Sequence, residues 1–310
     1  MRTALLALAA ELKRLKADGV KSVAVEEATL ATLRRAVAAQ KNARVQPAGE
    51  SPVQPEPIAA DAPESSTNSS APPSPLPRAA AARAQDDTIP APPVFALPEG
   101  DKRTQWEALR ERVLGDPVCN AHVRPGKKVV FGTGNLDASI MLVGEAPGAD
   151  EEVAGEPFVG PAGQLLTRMV AGMGLQREQV YIGNIMNWRP QMPMAGGGDQ
   201  TGNRPPTAQE MGYCLPYLKA QIDVVKPALL VALGSTAAHG LLGLDSFRTL
   251  GEVRGRWHEF AGTPLMVTYH PSYILREPTN RKKRMIWDDL LKVMERAGLP
   301  ISEKQRGFFL

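Results

Sequence analysis

Cysteine is nearly absent: the 310 residues contain only Cys119 and Cys214. Two thiols so far apart make no disulfide framework, and their scarcity suits a reducing compartment. Long apolar runs are also missing, and no stretch approaches the length of a membrane span. The N-terminus carries Arg2, Glu11, Lys13, Arg14 and Lys16 among its leucines, too charged for a signal-peptide core. A cytoplasmic protein without membrane contact is expected. The four histidines, His122, His239, His258 and His270, lack the close spacing of an HxH or HExxH metal site. No Walker A lysine follows the first glycine-rich turn, and no serine sits in a GxSxG elbow, which argues against nucleoside triphosphate and against that hydrolase class. Neither sign of charge dominates. A net charge of +3 and a pI near 8.8 fit a polyanionic partner without requiring one.

What is present falls into blocks. Residues 1–40 read as a helical arm, with Leu5, Leu8, Leu12 and Leu15 at helical spacing and Leu30, Leu33 and Val37 on one face of a second helix. Residues 41–98 hold 13 of the 28 prolines among Ser, Ala, Gln and Asn. Such a segment cannot bury enough apolar surface to offset its ordering entropy, so a disordered linker is expected, with Val94-Phe95-Ala96-Leu97 as a docking exception. Residues 99–300 read as the folded domain, opening with a helical pattern at Gln105–Val113, and 301–310 as a tail. Within the domain, apolar runs of strand length stand at Ala138–Val143, Val180–Ile185, Ala228–Leu233 and Leu265–Thr268. Helical patterns at Gly163–Gly172, Thr207–Val225 and Ser235–Leu242 separate them. This alternation predicts a three-layer α/β/α domain with a central four-stranded parallel sheet.

Each run ends in chemistry. The first opens into Gly144-Glu145-Ala146-Pro147-Gly148, followed by acidic residues and Phe158. The second ends at Asn184, the third at Gly234-Ser235 and the fourth at His270-Pro271-Ser272. Ligands of open α/β sheets bind outside the carboxyl ends of the strands, so these ends converge on a site. Glu145, Glu151, Phe158, Asn184 and His270 combine an aromatic face, an amide with donor and acceptor, an imidazole and carboxylates. These are the parts that hold a flat heterocycle by edge and face, as for an extruded base. Beyond His270, Tyr273, Ile274 and Leu275 offer a wedge for a base stack. Arg276 and the run Arg281-Lys282-Lys283-Arg284 offer cations for phosphates.

Together these residues resemble the uracil-DNA glycosylase superfamily, closest to its family 4. The resemblance rests on Gly144–Gly148 with Pro157–Leu166, on Tyr181-Ile182-Gly183-Asn184, on Gly202–Thr207 with Glu210, on Ala232–Ala237, and on His270–Arg276. It implies DNA repair by a glycosylase that flips uracil out of DNA and hydrolyses its N-glycosidic bond. Phe158 would stack on the base and Asn184 would read its amide edge. His270 would donate to O2 as negative charge grows, and amides near Ala146 would contact the base. Glu151 would line the side that meets a thymine methyl. The choice between Glu145 and Glu151 for the water stays open. Ser272, Tyr273, Ile274, Leu275 and Arg276 would contact DNA.

Three departures qualify the resemblance. The family typically holds a [4Fe–4S] cluster on four cysteines, whereas here Cys119 and Cys214 stand alone, Asp116 or His122 replaces one ligand, and Trp188 replaces another. A four-thiolate site is impossible, and loss of the cluster is expected. An insertion, Gln191–Thr201, carries no histidine, so ordinary turnover rather than covalent capture of DNA is expected. The tail Gln305–Leu310 resembles a sliding-clamp-binding peptide, with packing on the domain as the other reading. A monomer is the simplest unit. A pocket for another deaminated base such as hypoxanthine, or a catalytically weak DNA-binding scaffold, remain the competing readings.

Overall fold

The computed structural model describes residues 89–192, 200 and 202–310. The helical arm, the linker over 41–88 and most of the insertion at 191–201 lie outside the described residues. In chain order the elements are α1 (Lys102–Leu114), α2 (Pro117–Ala121), β1 (Thr133–Gly134), β2 (Ile140–Gly144), α3 (Ala149–Ala154), α4 (Pro161–Gly172) and β3 (Tyr181–Asn184). There follow α5 (Ala208–Val225), β4 (Leu229–Leu233), α6 (Ser235–Leu242), α7 (Leu250–Val253), β5 (Trp257–Phe260) and β6 (Thr263–Thr268). The chain ends with α8 (Ser272–Arg276), α9 (Asn280–Arg296) and α10 (Glu303–Arg306).

The sheet order is β1-β3-β2-β4-β6-β5. The four inner strands are parallel, as the apolar runs predict, and a short antiparallel strand is added at each edge. The parallel strands are buried on both faces, so their side chains alternate between two cores rather than between core and solvent. Met141 and Val143 face a cluster with Leu109, Leu218 and Ala237 from α1, α5 and α6. Ile140 and Leu142 face a second cluster with Leu166 of α4 and Ile286, Leu290 and Met294 of α9. Burial of each such side chain stabilises the fold by about 1.5–3 kcal/mol.

Local chemistry sets the helix starts. Thr207 accepts from the Glu210 N–H at 3.2 Å while the Glu210 carboxylate accepts from the Thr207 N–H at 2.6 Å, a reciprocal cap. Arg204 forks onto the same carboxylate at 2.6 and 2.7 Å. The Arg204–Glu210 part of the chain is thus a helix start.

At both margins the packed reading is the one observed: Phe95 and Leu97 dock as the exception within the linker, and the tail lies on the domain. The linker does not extend to residue 98 as a free segment, because Ile89, Phe95 and Leu97 pack against the first core. Phe95 lies 5.3 Å from the Tyr217 ring, with Arg112 over its other side, while Val94 stays exposed. The tail also lies on the domain. Trp287 Nε1 donates to the Gln305 carbonyl at 2.6 Å, and Gln305 Nε2 donates to Gly172 O at 2.9 Å. Phe308 packs against Trp287 with ring centroids 5.2 Å apart. The glutamine and the first aromatic of the clamp-like motif are therefore committed to α4 and α9.

Candidate active site

Parallel register aligns the strand ends. Gly144 pairs with Asn184 and Leu233 with Thr268, so the residues that follow β2, β3, β4 and β6 emerge along one edge. A cavity of about 390 Å³ opens there, with Phe158, Asn184, Glu151, His270, Ser272 and Leu275 in its wall. Asp150 and Asn203 also line it. Both lie within motif stretches, but neither stands out there as a site residue. Asn203 is held by Arg189, which donates to its Oδ1 at 2.8 Å while pairing with the buried Glu152 at 2.8 Å.

Phe158 forms one face. Its backbone is left-handed, with φ of 55°, a conformation that costs a non-glycine residue about 1–3 kcal/mol unless its surroundings enforce it. Here they do. The Phe158 carbonyl lies where a Cβ on Gly163 would stand, and Arg177 donates to the Pro157 carbonyl at 2.7 Å. The Glu151 carboxylate accepts from Val159 N at 3.0 Å, Gly160 N at 2.9 Å and Gly148 N at 3.0 Å. Glu151 therefore clamps the two turns that frame the cavity. Its oxygens are engaged by these three backbone donors, and it remains part of the cavity wall.

Asn184 forms the edge. It is 7% exposed, and its Oδ1 has no hydrogen-bond partner. An orphaned buried acceptor costs about 1–3 kcal/mol, a deficit that a ligand N–H in the cavity would recover. Gly144 lets this arrangement exist. A Cβ there would meet Asn184 Oδ1 and come within 2.5 Å of the Phe158 ring. Gly144→Ala is therefore expected to lower kcat/KM about a hundredfold, since small displacements of positioning groups have effects of that size, with a folded protein remaining. Steady-state kinetics beside a thermal melt checks this; a variant within a factor of three of wild type would contradict it.

His270 stands opposite, its ring 5.5 Å from that of Phe158. The Ser272 N–H donates to His270 Nδ1 at 3.2 Å, and the Ser272 hydroxyl lies 2.9 Å from the same nitrogen. Nδ1 is thus an acceptor, which leaves the proton on Nε2. Burial, then the charge of Arg276, lower the imidazole pKa to about 4. At neutral pH the ring is an uncharged donor.

Glu145 directly precedes Ala146 of the cavity wall. Burial raises its pKa above the ordinary carboxylate value, against the opposing effects of Thr236 and Arg276. Of the wedge residues, Ile274 is buried in the second core, whereas Leu275 is 44% exposed. Tyr273 stacks on Tyr269 at 4.3 Å with Lys282 above it at 4.6 Å. The segment is a helical turn, α8, in which Ile274 turns inward, Tyr273 is half-buried and Leu275 turns outward.

The positions of the two cysteines form a separate, sealed region. Cys119 and Cys214 are buried, and the hydrogen bond they share, followed by burial, pushes the Cys119 thiol upward. Trp188 is fully buried and stacks on His122 at 4.9 Å. Asp116 caps α2 through Cys119 N at 2.7 Å and accepts from Tyr217 at 2.6 Å and Tyr213 at 2.9 Å. Burial raises its pKa, but these bonds outweigh that and hold it low. Two buried thiols, an indole and an occupied carboxylate do not fit a cluster that needs four thiolates.

Residues 131–291 match the family model described as the uracil DNA glycosylase superfamily. The Type-4 uracil-DNA glycosylase of Thermotoga maritima is 38% identical over 187 residues, covering 60% of this chain and 91% of the relative. That of Pyrobaculum aerophilum is 39% identical over 181 residues, covering 56% and 87%. The Type-5 uracil-DNA glycosylase of the same organism is 29% identical over 180 residues, covering 53% and 73%.

Proposed function

The chain belongs to the uracil DNA glycosylase superfamily, and from that membership and the cavity we propose that it excises uracil from DNA, leaving an abasic site. One observation carries the reading. The orphaned Asn184 acceptor shares a cavity with an aromatic face and a neutral imidazole donor, matching the N3–H, ring and O2 of an extruded uracil. Phe158 stacks on the base. Asn184 accepts from N3–H and donates to O4. The C1′–N1 bond breaks with its electron pair passing to uracil, and His270 Nε2–H donates to O2 where that charge collects. Water adds to C1′ and releases its proton towards Glu145, while the uracil anion takes up a proton from solvent. Leu275 fills the gap left in the stack, with Arg276 near the phosphates.

No step passes through a metal. We propose that Trp188, His122 and the Asp116–Tyr213–Tyr217 bonds do the packing that a cluster would otherwise do. We further place the protein in the cytoplasm, acting as a monomer because one flipped base needs one site. Among the described residues no helix is long and apolar enough to cross a membrane. A sliding-clamp contact through Gln305–Leu310 would require the tail bonds to Gly172 and Trp287 to open.

The pH profile tests the mechanism. A carboxylate must be deprotonated to receive a proton, so the rate falls as pH drops through the raised pKa of Glu145. The acid limb should therefore stand above the ordinary glutamate value of about 4.3. The imidazole stays neutral until about pH 4 and adds no limb between there and neutrality. Single-turnover uracil release across pH should show one acid limb that Glu145→Gln removes. A limb that persists in that variant would reassign the water to another group.

A further inference from the structure

A second cavity, of about 500 Å³, lies on the far side of Leu275. Leu275 belongs to the walls of both cavities, so this one side chain separates them. The second cavity is a cleft between α4 and α9, floored by Ile274 and Trp287 and closed at one end by Phe308 and Phe309. Phe309 is 40% exposed, with Lys283 Nζ over its ring at 5.8 Å. Among the described residues, the charged members of its wall are Arg168 and Lys283, both cations. None of these groups takes part in the excision chemistry.

We propose that this cleft binds the nucleotide adjacent to the uracil on the same strand. The inference rests on the uracil reading above. If Leu275 enters the stack beside the extruded base, the neighbouring base is unstacked on the other side of that leucine, where the cleft begins. An apolar, aromatic-walled cleft suits a base of any sequence, because every base has a π-face. Arg168 and Lys283 stand where a flanking phosphate would need neutralising. A cleft of about 500 Å³ is in the range that encloses a small ligand, so it has room for one nucleotide. The chemistry favours an unpaired neighbour, and so predicts a preference for single-stranded or locally melted DNA.

The test uses single-stranded oligonucleotides with one uracil and the fluorescent base 2-aminopurine immediately 5′ or immediately 3′ of it. Alkaline cleavage on the same samples reports excision. The full-length wild type should change the fluorescence at one of the two positions. A double variant, Arg168→Glu with Phe309→Ala, should lose that change and raise KM about tenfold, the size expected for one stacked base. Its deficit should close when the substrate is shortened to remove both neighbours. Excision without a flank signal, or with a signal the double variant retains, would overturn the inference and leave the uracil reading standing. Absence of excision by the wild type would remove both. Concentration-dependent dimerisation abolished by Met169→Glu would assign the cleft to a second copy of the chain and also overturn the inference.

Discussion

Uracil release by the His270→Ala protein is expected to be roughly a hundred- to a thousandfold slower at saturating substrate, the usual effect of removing one preorganised donor. The change should fall on kcat more than on KM, since the donor gains most where charge accumulates on the departing base. The geometry makes this specific. Ser272 holds Nδ1 as an acceptor, so the ring presents Nε2–H to the cavity without needing to be charged. An imidazolium would bring a stronger donor, but burial and Arg276 disfavour it. Lowering the pH towards 5 should therefore not accelerate the wild type. Single-turnover assays of both proteins decide the matter; a variant within tenfold of wild type would show that the base leaves without help from this ring.

Asn184→Ala is expected to lower kcat/KM about a thousandfold, because uracil would enter a buried site with its N3–H and O4 both unpaired. Unlike the histidine variant, it should lose binding as well as rate. The carboxamide also explains an otherwise unfavourable feature of the free protein, the acceptor left without a partner at 7% exposure. The free protein bears that cost and the bound base relieves it. Equal loss of binding for DNA with and without uracil would contradict base reading by this amide.

The parallel core was legible because its strands are buried on both faces and appear as unbroken apolar runs, as at Leu229–Leu233. The edge strands were not. Thr133–Gly134 is two residues long, and Trp257–Phe260 is only partly buried, so neither leaves a clear pattern. Phe158, Asn184 and His270 were legible because unusual residue types stood at strand ends. Glu151 was legible as a site residue, but its clamping bonds were not, since only folding shows that its oxygens meet three backbone donors. The wedge was overread for a similar reason. Tyr273, Ile274 and Leu275 look alike on paper, but one helical turn sends Ile274 inward and Leu275 outward. Asn203 stood inside a motif segment but did not stand out there as a site residue, and the tail's two readings stayed open because its partners, Gly172 and Trp287, are distant in sequence.

The region that holds a cluster in the resembling family shows how a domain could keep its site while changing its packing. Here Trp188 is fully buried, and Asp116 collects two tyrosine hydroxyls and a helix N–H. This region and the base cavity use different side chains, although Arg189, next to Trp188, lines the cavity. The most direct measurement is single-turnover excision from a uracil-containing oligonucleotide by full-length protein whose iron and sulfide are quantified in the same sample. The account predicts release of free uracil with iron far below one equivalent and no rise in rate on reconstitution with iron and sulfide. No uracil release, or a rate that tracks the iron content, would contradict it.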